Sequence, residues 1–275
     1  QPVGKAPMKC ATPLVIEFTQ RAQTLDAAMR EEIEGYITPP EDPTAEVYES
    51  PSGRFRLTYQ TSGADAVPPS DSDGSGVPDF VENCADYLDY SLDYECYTLG
   101  FTPPPFSTSY PYMNIYFYDL EGVYGFTSIV SNPPGMTRIT VDNDFIGFPP
   151  NDDPDGNALG AAKVTCAHEF KHSSQYAGSR WTEGGWNELD ATWMEDIAYP
   201  ETNDYLNYLP FGKHAPLHMH QYPFADAPVV IASFLGDHLA GLPGIFWGRL
   251  VTDLTAGDVT LHLEAVTGRS QVWDG

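Results

Sequence analysis

The sequence predicts an α+β fold in which a sheet-bearing first lobe, residues 1–177, is followed by a mainly helical second lobe, residues 178–275. Three observations support this class. Runs of alternating apolar and polar residues predict strands, and all of them lie in the first lobe. Amphipathic spacing predicts helices before and after those strands. The chain has 275 residues, of which 41% are hydrophobic, and it can therefore bury the core of a single large domain.

The first lobe begins with a helical pattern. Residues 11–36 have helical periodicity, and Pro39 and Pro40 end the helix. Residues 54–61 alternate apolar and polar side chains and contain aromatic residues and threonine, which predicts a strand. Residues 80–97 predict an amphipathic helix. The apolar or small face of this helix comprises Val81, Cys84, Leu88, Leu92 and Cys96.

Further strands precede the most distinctive helix of the chain. Three are predicted, at residues 113–120, 123–129 and 137–143. An acidic loop then leads into a long helix that carries the motif AHEFKH, residues 167–172. A second helix is predicted near residues 186–198. Beyond several proline and glycine breaks, residues 227–240 predict a buried helix, with Asp226 as its N-cap and Gly241 as its stop.

The composition is strongly acidic. The net charge is −26, because Lys and Arg together number only 13 against 39 acidic residues. Such a surface repels nucleic acid and anionic membranes and attracts divalent cations. No apolar run approaches the roughly 20 residues that span a bilayer. We therefore expect no nucleic-acid partner and no membrane partner. The protein is expected to be a monomer.

The start of the chain and its cysteines predict a secreted protein. The sequence begins at Gln1 without an initiator methionine, which suggests a mature form that has lost its signal and pro-segments. The chain has four cysteines, Cys10, Cys84, Cys96 and Cys166. They fit two disulfides in an oxidising extracellular compartment, and the alternative is buried free thiols. If residues 80–97 form one helix, Cys84 and Cys96 are about 18 Å apart and cannot bond to each other.

The motif helix has the spacing of a zinc site. On an α-helix, residues i and i+4 lie on one face, so His168 and His172 can bind the same metal ion. Glu169 projects from the same helix and can reach a water molecule on that metal. Two imidazole ligands and a carboxylate base are the working parts of HExxH hydrolases, in which zinc lowers the pKa of water towards about 7. Five residues alone do not establish such a site, because HExxH also occurs by chance.

A catalytic zinc ion needs a third protein ligand. The metzincin pattern HExxHxxGxxH is excluded, because Gln175 and Gly178 stand where it requires glycine and histidine. Downstream carboxylates remain as candidates, namely Glu183, Glu188 and Glu195. Glu188 is the natural choice, because it begins the run ELDATW in the predicted second helix.

At this point the chain resembles known proteins. AHEFKH followed by NELDATW resembles the gluzincin zinc peptidases, whose third ligand lies in a second helix as E-x-x-A-x-[W/Y]. Further segments resemble a little-characterised family of secreted bacterial metalloproteases, known from myxobacteria among others, over most of residues 10–210. These segments are DSDGSGVPDFVE, VYGFTSI, VDNDF, AHEFKHSSQY and WMEDIAYPETNDY. The resemblance implies His168, His172 and Glu188 as zinc ligands and Glu169 as the general base.

One position departs from the gluzincin pattern. Some gluzincins have an acidic residue four positions after the third ligand, where it orients a histidine, and this chain has Thr192 there. Glu195 lies on the same helical face, two turns from Glu188, and could take over that role.

The resemblance also implies a zincin-like fold, with a mixed twisted sheet and the motif helix in the upper lobe. In such folds an edge strand pairs with an extended peptide substrate. Residues 123–129 are the best candidate for that strand, with Gly125 allowing close backbone approach, and the alternative is an ordinary edge strand. The zincin arrangement further implies that Cys84 or Cys96 reaches Cys166 and that the other reaches Cys10.

A second metal site is predicted in residues 71–82. Oxygen donors occupy the EF-hand ligand positions there: Asp71, Asp73, Ser75, Val77 through its carbonyl, Asp79 and Glu82. Gly76 stands at the turn position, and only Pro78 departs from the pattern. We expect calcium here, and the alternative is a solvated acidic turn. For residues 151–157, an exposed loop is favoured over another calcium site.

A few polar residues are weaker candidates for stabilising an oxyanion. His214, His218, His220 and Tyr222 lie where the lower lobe might be expected to supply a hydrogen-bond donor. Tyr176, one turn beyond His172, is a comparable candidate. Each is more simply explained as an ordinary surface residue.

The sequence therefore predicts a secreted zinc-dependent endopeptidase that acts on a protein or peptide substrate. In this hypothesis Glu169 deprotonates the water that attacks the scissile carbonyl, and then protonates the leaving amine. One alternative is a catalytically idle zincin shell that acts as a binding or adhesion module. Another is a zinc hydrolase of a non-peptide bond.

Overall fold

The computed structural model of the protein describes residues 7–40, 42–182 and 186–208, and three strands nearer the C-terminus. The elements of the first part are, in order, α1 (Thr12–Arg21), a 3-10 turn (Ala22–Thr24), α2 (Ala27–Ile37), β1 (Glu46–Glu49), β2 (Phe55–Tyr59), α3 (Asp79–Ser91), a π-helical segment (Leu92–Thr98), β3 (Met113–Tyr118), β4 (Gly125–Ile129), β5 (Thr137–Asp142), α4 (Asn157–Ser179), α5 (Trp186–Ala198) and a second 3-10 turn (Asp204–Tyr208). The C-terminal strands are β6 (Phe246–Trp247), β7 (Thr260–Ala265) and β8 (Ser270–Asp274). The protein thus has a mixed α and β composition, in agreement with the predicted α+β class.

The main sheet has five strands in the order β1-β2-β3-β5-β4. The central strands β2, β3 and β5 are parallel to one another. The outer strands β1 and β4 each run antiparallel to their neighbour. The sheet is therefore mixed, and β4 lies at one edge of it, in the stretch where the sequence predicts an edge strand.

Alternation along the strands explains which face of the sheet is buried. In β2, Phe55, Leu57 and Tyr59 are buried, whereas the intervening Arg56 and Thr58 are only half-buried. Side chains of successive strand residues point to opposite faces, so this pattern directs the apolar residues to one layer. The same alternation occurs in β3.

The motif helix α4 packs in the centre of the described part. It contacts α3, β4 and β5 as well as α5, and most of its side chains between Gly160 and Gln175 are buried. The ring of Phe170 meets that of Phe55 edge to face, with 5.7 Å between centroids. The polar residues of the motif are therefore buried within the packed part of the molecule.

The structure corrects several local predictions. The helical stretch 11–36 is divided, because Leu25 is extended and the side chain of Asp26 caps a new helix at the Met29 amide. Strand β1 was not predicted. The second half of the predicted helix 80–97 is π-helical.

In the described residues of the predicted second lobe, α5 is helical, and β6, β7 and β8 form an antiparallel sheet that was not predicted. The helix predicted at residues 227–240 lies outside the described residues. No helix in the described ranges combines the length and apolarity needed to cross a bilayer.

The predicted disulfides are absent. All four cysteines lie in the described part, and all are buried and free. Cys84 and Cys166 are neighbours, with the Cys166 thiol 3.9 Å from the Cys84 carbonyl oxygen. Cys10 lies elsewhere, beside His172, so the expected bond from Cys84 or Cys96 to Cys10 does not form. Cys84 and Cys96 are not bonded to each other, as expected for residues of one continuous helical segment.

Candidate metal centre

Helix α4 brings the two motif histidines together. The Nε2 atoms of His168 and His172 are 3.1 Å apart, and their rings are inclined at 76°. Both side chains are buried, because α4 is covered on this face by α5 and by the segment that precedes α1. Two imidazole nitrogens that converge within a buried space are suited to binding a shared cation.

Helix α5 supplies the predicted carboxylate. Oε1 of Glu188 lies 2.8 Å from Nε2 of His172, and Oε2 lies 3.5 Å from Nε2 of His168. Both carboxylate oxygens are buried, and neither forms a hydrogen bond of good geometry. Ion pairing with the two histidines outweighs burial and lowers the pKa of Glu188 well below its usual range. Glu188 is thus a buried carboxylate within ion-pair distance of both histidines, and it is a candidate metal ligand.

The fourth member of the cluster is Cys10, which was not predicted to lie here. Its Sγ atom is 3.5 Å from Nε2 of His172. One ligand atom each from Cys10, His168, His172 and Glu188 lie within 4.8 Å of one another. Burial, together with the nearby Glu169 and Glu188 carboxylates, raises the pKa of the Cys10 thiol. In the described part of the chain, this group has the composition and spacing of a metal site.

The spacing of the donor atoms fits a tetrahedral zinc ion. Typical zinc–nitrogen and zinc–sulfur bond lengths place two ligand nitrogens about 3.3 Å apart and a nitrogen and a sulfur about 3.6 Å apart. The corresponding separations here are 3.1 Å and 3.5 Å. The two carboxylate oxygens of Glu188 that lack a hydrogen-bond donor would gain a partner. Thiolate and imidazole donors favour zinc over magnesium or calcium.

The Nδ1 atom of each histidine also has a hydrogen-bond partner. Nδ1 of His168 donates to Oε1 of Glu195 at 2.6 Å, and Nδ1 of His172 donates to Oε1 of Gln175 at 2.9 Å. These bonds orient both rings so that each Nε2 atom faces the cluster. Hydrogen bonds and ion pairing with Glu188 and Glu195 outweigh burial and raise the pKa of His168 to about 10. A divalent cation would compete with that proton for the same nitrogen.

Glu169 lies beside the cluster but is not part of it. Its Oε2 atom accepts hydrogen bonds from the hydroxyls of Thr127, at 2.8 Å, and Thr12, at 2.9 Å. Its Oε1 atom is buried and has no hydrogen-bond partner. One oxygen is therefore fixed by hydroxyl donors, and the other is available to a proton.

The segment before α1 runs along the edge of β4. The Met8 amide donates to the Gly122 carbonyl at 2.7 Å, and the Tyr124 amide donates to the Met8 carbonyl at 3.0 Å. The Ala11 amide then donates to the Gly125 carbonyl at 3.1 Å. The predicted edge strand is therefore covered by residues 8–12 of the same chain.

Lys9 anchors this segment in a buried ionic network. Its ammonium group is 2.5 Å from Asp204 and 3.0 Å from Glu195, and it lies 4.3 Å from the centre of the Tyr124 ring. Glu195 in turn binds His168. The residue next to Cys10 is therefore connected to a metal-site histidine through a single carboxylate.

The other predicted site residues fall into two groups. Tyr176 packs its ring against Trp181, at 4.7 Å between centroids, and Thr192 lies on α5 without a hydrogen bond to either histidine. Glu183, which was weighed as a third ligand, lies outside the described residues. So do the candidate donors of the lower lobe, His214, His218, His220 and Tyr222.

The predicted calcium loop is exposed and held by its own hydrogen bonds. Asp71 accepts from the backbone amides of Gly74, Ser75 and Gly76, and the Ser75 hydroxyl donates to Glu82 at 2.9 Å. Asp79 instead accepts from the side chains of two other serines, Ser70 and Ser72. Asp73 accepts from the Ser75 amide. Calcium binding here stays a prediction.

The loop at residues 151–157 uses its acids differently. Asp153 is buried and accepts from Lys163 at 2.8 Å and from Thr202 at 2.6 Å. Lys163 also pairs with Asp155 at 2.7 Å. A lysine therefore provides the positive charge that a second calcium ion would have supplied.

Sequence reasoning missed every residue that the first segment and β4 contribute. These are Lys9, Cys10, Thr12 and Thr127. No local motif marks any of them, because they meet α4 only through the tertiary fold. The one available signal was the cysteine itself, a zinc-ligand residue type that was assigned to a disulfide.

No protein-family model, curated protein or solved structure matches this chain. Its function is therefore inferred from the motif and from the geometry of the cluster.

Proposed function

We propose that this protein is a zinc-dependent endopeptidase with a zincin-like fold. The observation that carries the proposal is the convergence of His168, His172 and Glu188 on one buried point, with Glu169 beside it. Two helix-borne histidines, a carboxylate from a second helix and an adjacent carboxylate base form the set that HExxH hydrolases require.

The ligand set favours zinc as the resident metal. His168 and His172 would bind through Nε2, and Glu188 through a carboxylate oxygen. When bound, zinc would supply Lewis acidity towards a water molecule and towards a substrate carbonyl oxygen. Glu195 and Gln175 would keep the imidazoles oriented, since each accepts from the outer nitrogen of one ring.

Glu169 is the residue that would move the proton. Its Oε1 atom, which has no hydrogen-bond partner, would accept a proton from the attacking water. The same carboxylate would then deliver that proton to the departing amine. Thr127 donates to the other oxygen at 2.8 Å and would hold the carboxylate in place through both transfers.

The sheet supports a peptide rather than a small molecule as the substrate. Strand β4 is an edge strand that runs antiparallel to β5 and lies directly against the motif helix. Backbone groups at residues 122–125, at and just before the start of β4, already pair with an extended segment of the chain itself. A substrate in extended conformation could use the same groups. We also propose an extracellular location, which the resemblance to secreted bacterial metalloproteases implies.

The second candidate function is that of a binding module whose metal site is closed and catalyses no reaction. Cys10 occupies the fourth corner of the cluster, and zinc sites with four protein ligands are typically structural. In that case the protein would be a binding module with a zincin-like shell, and the metal would only stabilise it.

Measurements of zinc content and of the cleavage of an unfolded protein distinguish the two candidate functions. Glu169→Gln is compared with Glu34→Gln, an exposed position on α2, and each is prepared in the natural sequence and together with Cys10→Ser. All forms should retain zinc, because every one of them keeps His168, His172 and Glu188. With Cys10→Ser, cleavage of an unfolded protein should persist in Glu34→Gln and fall about 10²–10⁴-fold in Glu169→Gln.

Two results would count against the endopeptidase. Equal cleavage by the Glu169 and Glu34 variants would remove the general base from the mechanism. Retained zinc with no cleavage in any form, including the forms with Cys10→Ser, would favour the closed binding module.

A further inference from the structure

We propose that residues 8–12, here called the strap, hold the site closed, so that the chain is a latent form of the enzyme. This inference rests on the proposed function, because a strap can inhibit only a site that would otherwise act. Three separate contacts of the strap support it, one with the ligand cluster, one with the base and one with the substrate edge.

The first contact fills the fourth ligand position. A catalytic zinc site keeps one position open for water and substrate. Cys10 Sγ lies 3.5 Å from His172 Nε2, within the ligand cluster, and its side chain is only 3% exposed. On binding, the thiol would release its proton to solvent and act as a thiolate ligand. That ligand would take the place of the water that the reaction needs.

The second contact is a hydrogen bond to Glu169, the proposed general base. Thr12 Oγ1 donates to Glu169 Oε2 at 2.9 Å and accepts from the Thr127 backbone amide at 2.8 Å. The hydroxyl thus connects the carboxylate to the edge strand. With the strap in place, Glu169 is held by two hydroxyls and lies beside the Cys10 thiol.

The third contact occupies the edge of the sheet. The Met8 and Ala11 amides donate to carbonyls of residues 122 and 125, and the Met8 carbonyl accepts from Tyr124. These backbone groups are the ones that we propose for an extended substrate. A peptide cannot pair with this part of β4 until the strap leaves it.

The strap is fastened by Lys9. This buried ammonium pairs with Asp204 and Glu195 and lies over the Tyr124 ring. Removal of one ligand would therefore weaken the strap without releasing it from every molecule, and Cys10→Ser should raise the fraction of chains in which the strap has left the site. We expect partial activation from that substitution.

The test uses the full chain with cobalt(II) in place of zinc and compares Cys10→Ser with Cys96→Ser. Cys96 is a suitable control, because it is also buried but belongs to no metal cluster among the residues that the structure describes. The natural chain and Cys96→Ser should show near-ultraviolet thiolate-to-cobalt charge-transfer absorption. Cys10→Ser should bind cobalt and lack that absorption. In the zinc forms, Cys10→Ser should cleave an unfolded protein about tenfold faster or more, because more of its sites are open.

Each outcome has a definite meaning. Absence of the charge-transfer absorption from the natural chain would show that Cys10 is not a ligand and would overturn the strap, whether or not the chain cleaves protein. Charge transfer through Cys10 without faster cleavage by Cys10→Ser would also overturn latency, and Cys10 would then be a permanent ligand. If, in addition, no zinc form shows cleavage that depends on Glu169, the proposed function fails as well. Glu169-dependent cleavage at equal rates in the natural chain and in Cys10→Ser would leave the function standing and remove the strap alone.

Discussion

Gly125, at the start of β4, allows the edge strand to lie close to the motif helix. A methyl group added there would lie 2.9 Å from the Thr140 carbonyl oxygen, 3.0 Å from Cγ2 of Thr165 and 3.2 Å from Cγ of Glu169. The first neighbour is the backbone of the paired strand β5, which cannot retreat without disturbing the ladder. The backbone angles of Gly125 are ordinary, so the requirement is for space.

Gly125→Ala should therefore destabilise the protein. Insertion of a methyl group into a well-packed site typically costs about 1–3 kcal/mol in the free energy of unfolding. For a protein of this size, that cost corresponds to a fall of roughly 2–12 °C in Tm. Because Glu169 is one of the displaced neighbours, cleavage should fall more than zinc content, which depends on other residues.

Gly35→Ala is the matched control. Gly35 lies in the exposed helix α2, and an added methyl group would have no neighbour within 4 Å. That substitution should raise stability by about 0.5–1 kcal/mol, because alanine loses less conformational freedom in a helix. Thermal unfolding followed by circular dichroism, with zinc held constant, compares the two variants. A Tm for Gly125→Ala equal to or above that of the natural chain would refute the close packing of β4 on α4.

Further predictions concern the ligands, the strap anchor and the calcium loop. Glu188→Ala should lower zinc affinity more than Glu195→Ala, because only the first removes a ligand, and a metal titration compares them. Lys9→Met should cost about 3–5 kcal/mol in the free energy of unfolding, because it removes the cation that pairs with the buried Asp204 and Glu195 carboxylates, as denaturant unfolding would reveal. The nearby Asp204 and Glu195 carboxylates outweigh the effect of burial and raise the pKa of Lys9. The stability that this ion pairing contributes is therefore complete at neutral pH and is lost only as the pH rises beyond the ordinary lysine pKa of 10.5. Calcium at a hundredfold excess over Kd should stabilise the folded protein by about 2.7 kcal/mol. This should appear as a rise in Tm at constant zinc, and Asp71→Ala should remove that rise.

The parts of the fold that follow local rules could be predicted from the sequence. Residues 54–61 alternate, and β2 forms within them, because one face of the sheet meets the core. The helix expected at residues 186–198 begins and ends there. The π-helical turn at Leu92–Thr98 could not be predicted, because its register depends on packing rather than on periodicity.

The residues of the candidate site also differ in whether local sequence rules or tertiary packing brings them together. His168 and His172 are neighbours through helix geometry alone, so their spacing in sequence was sufficient. Cys10 is separated from them by most of the first lobe, and only the pairing of its segment with β4 brings it to the cluster. The disulfide expectation treated Cys10 as an oxidised residue and thereby missed it as a ligand.

Zinc X-ray absorption on the full chain tests the central claim most directly, because it reports the atoms bound to the metal. Glu169→Gln is the suitable background, since under the proposed mechanism it would prevent self-cleavage without removing a proposed ligand. We predict one zinc ion per chain, with one sulfur at about 2.3 Å and nitrogen or oxygen ligands at about 2.0–2.1 Å. The sulfur should disappear in Cys10→Ser, whereas the nitrogen and oxygen ligands should remain. A chain that retains no zinc, or one whose zinc has no sulfur neighbour, would contradict the assignment of Cys10, His168, His172 and Glu188 as a single metal centre.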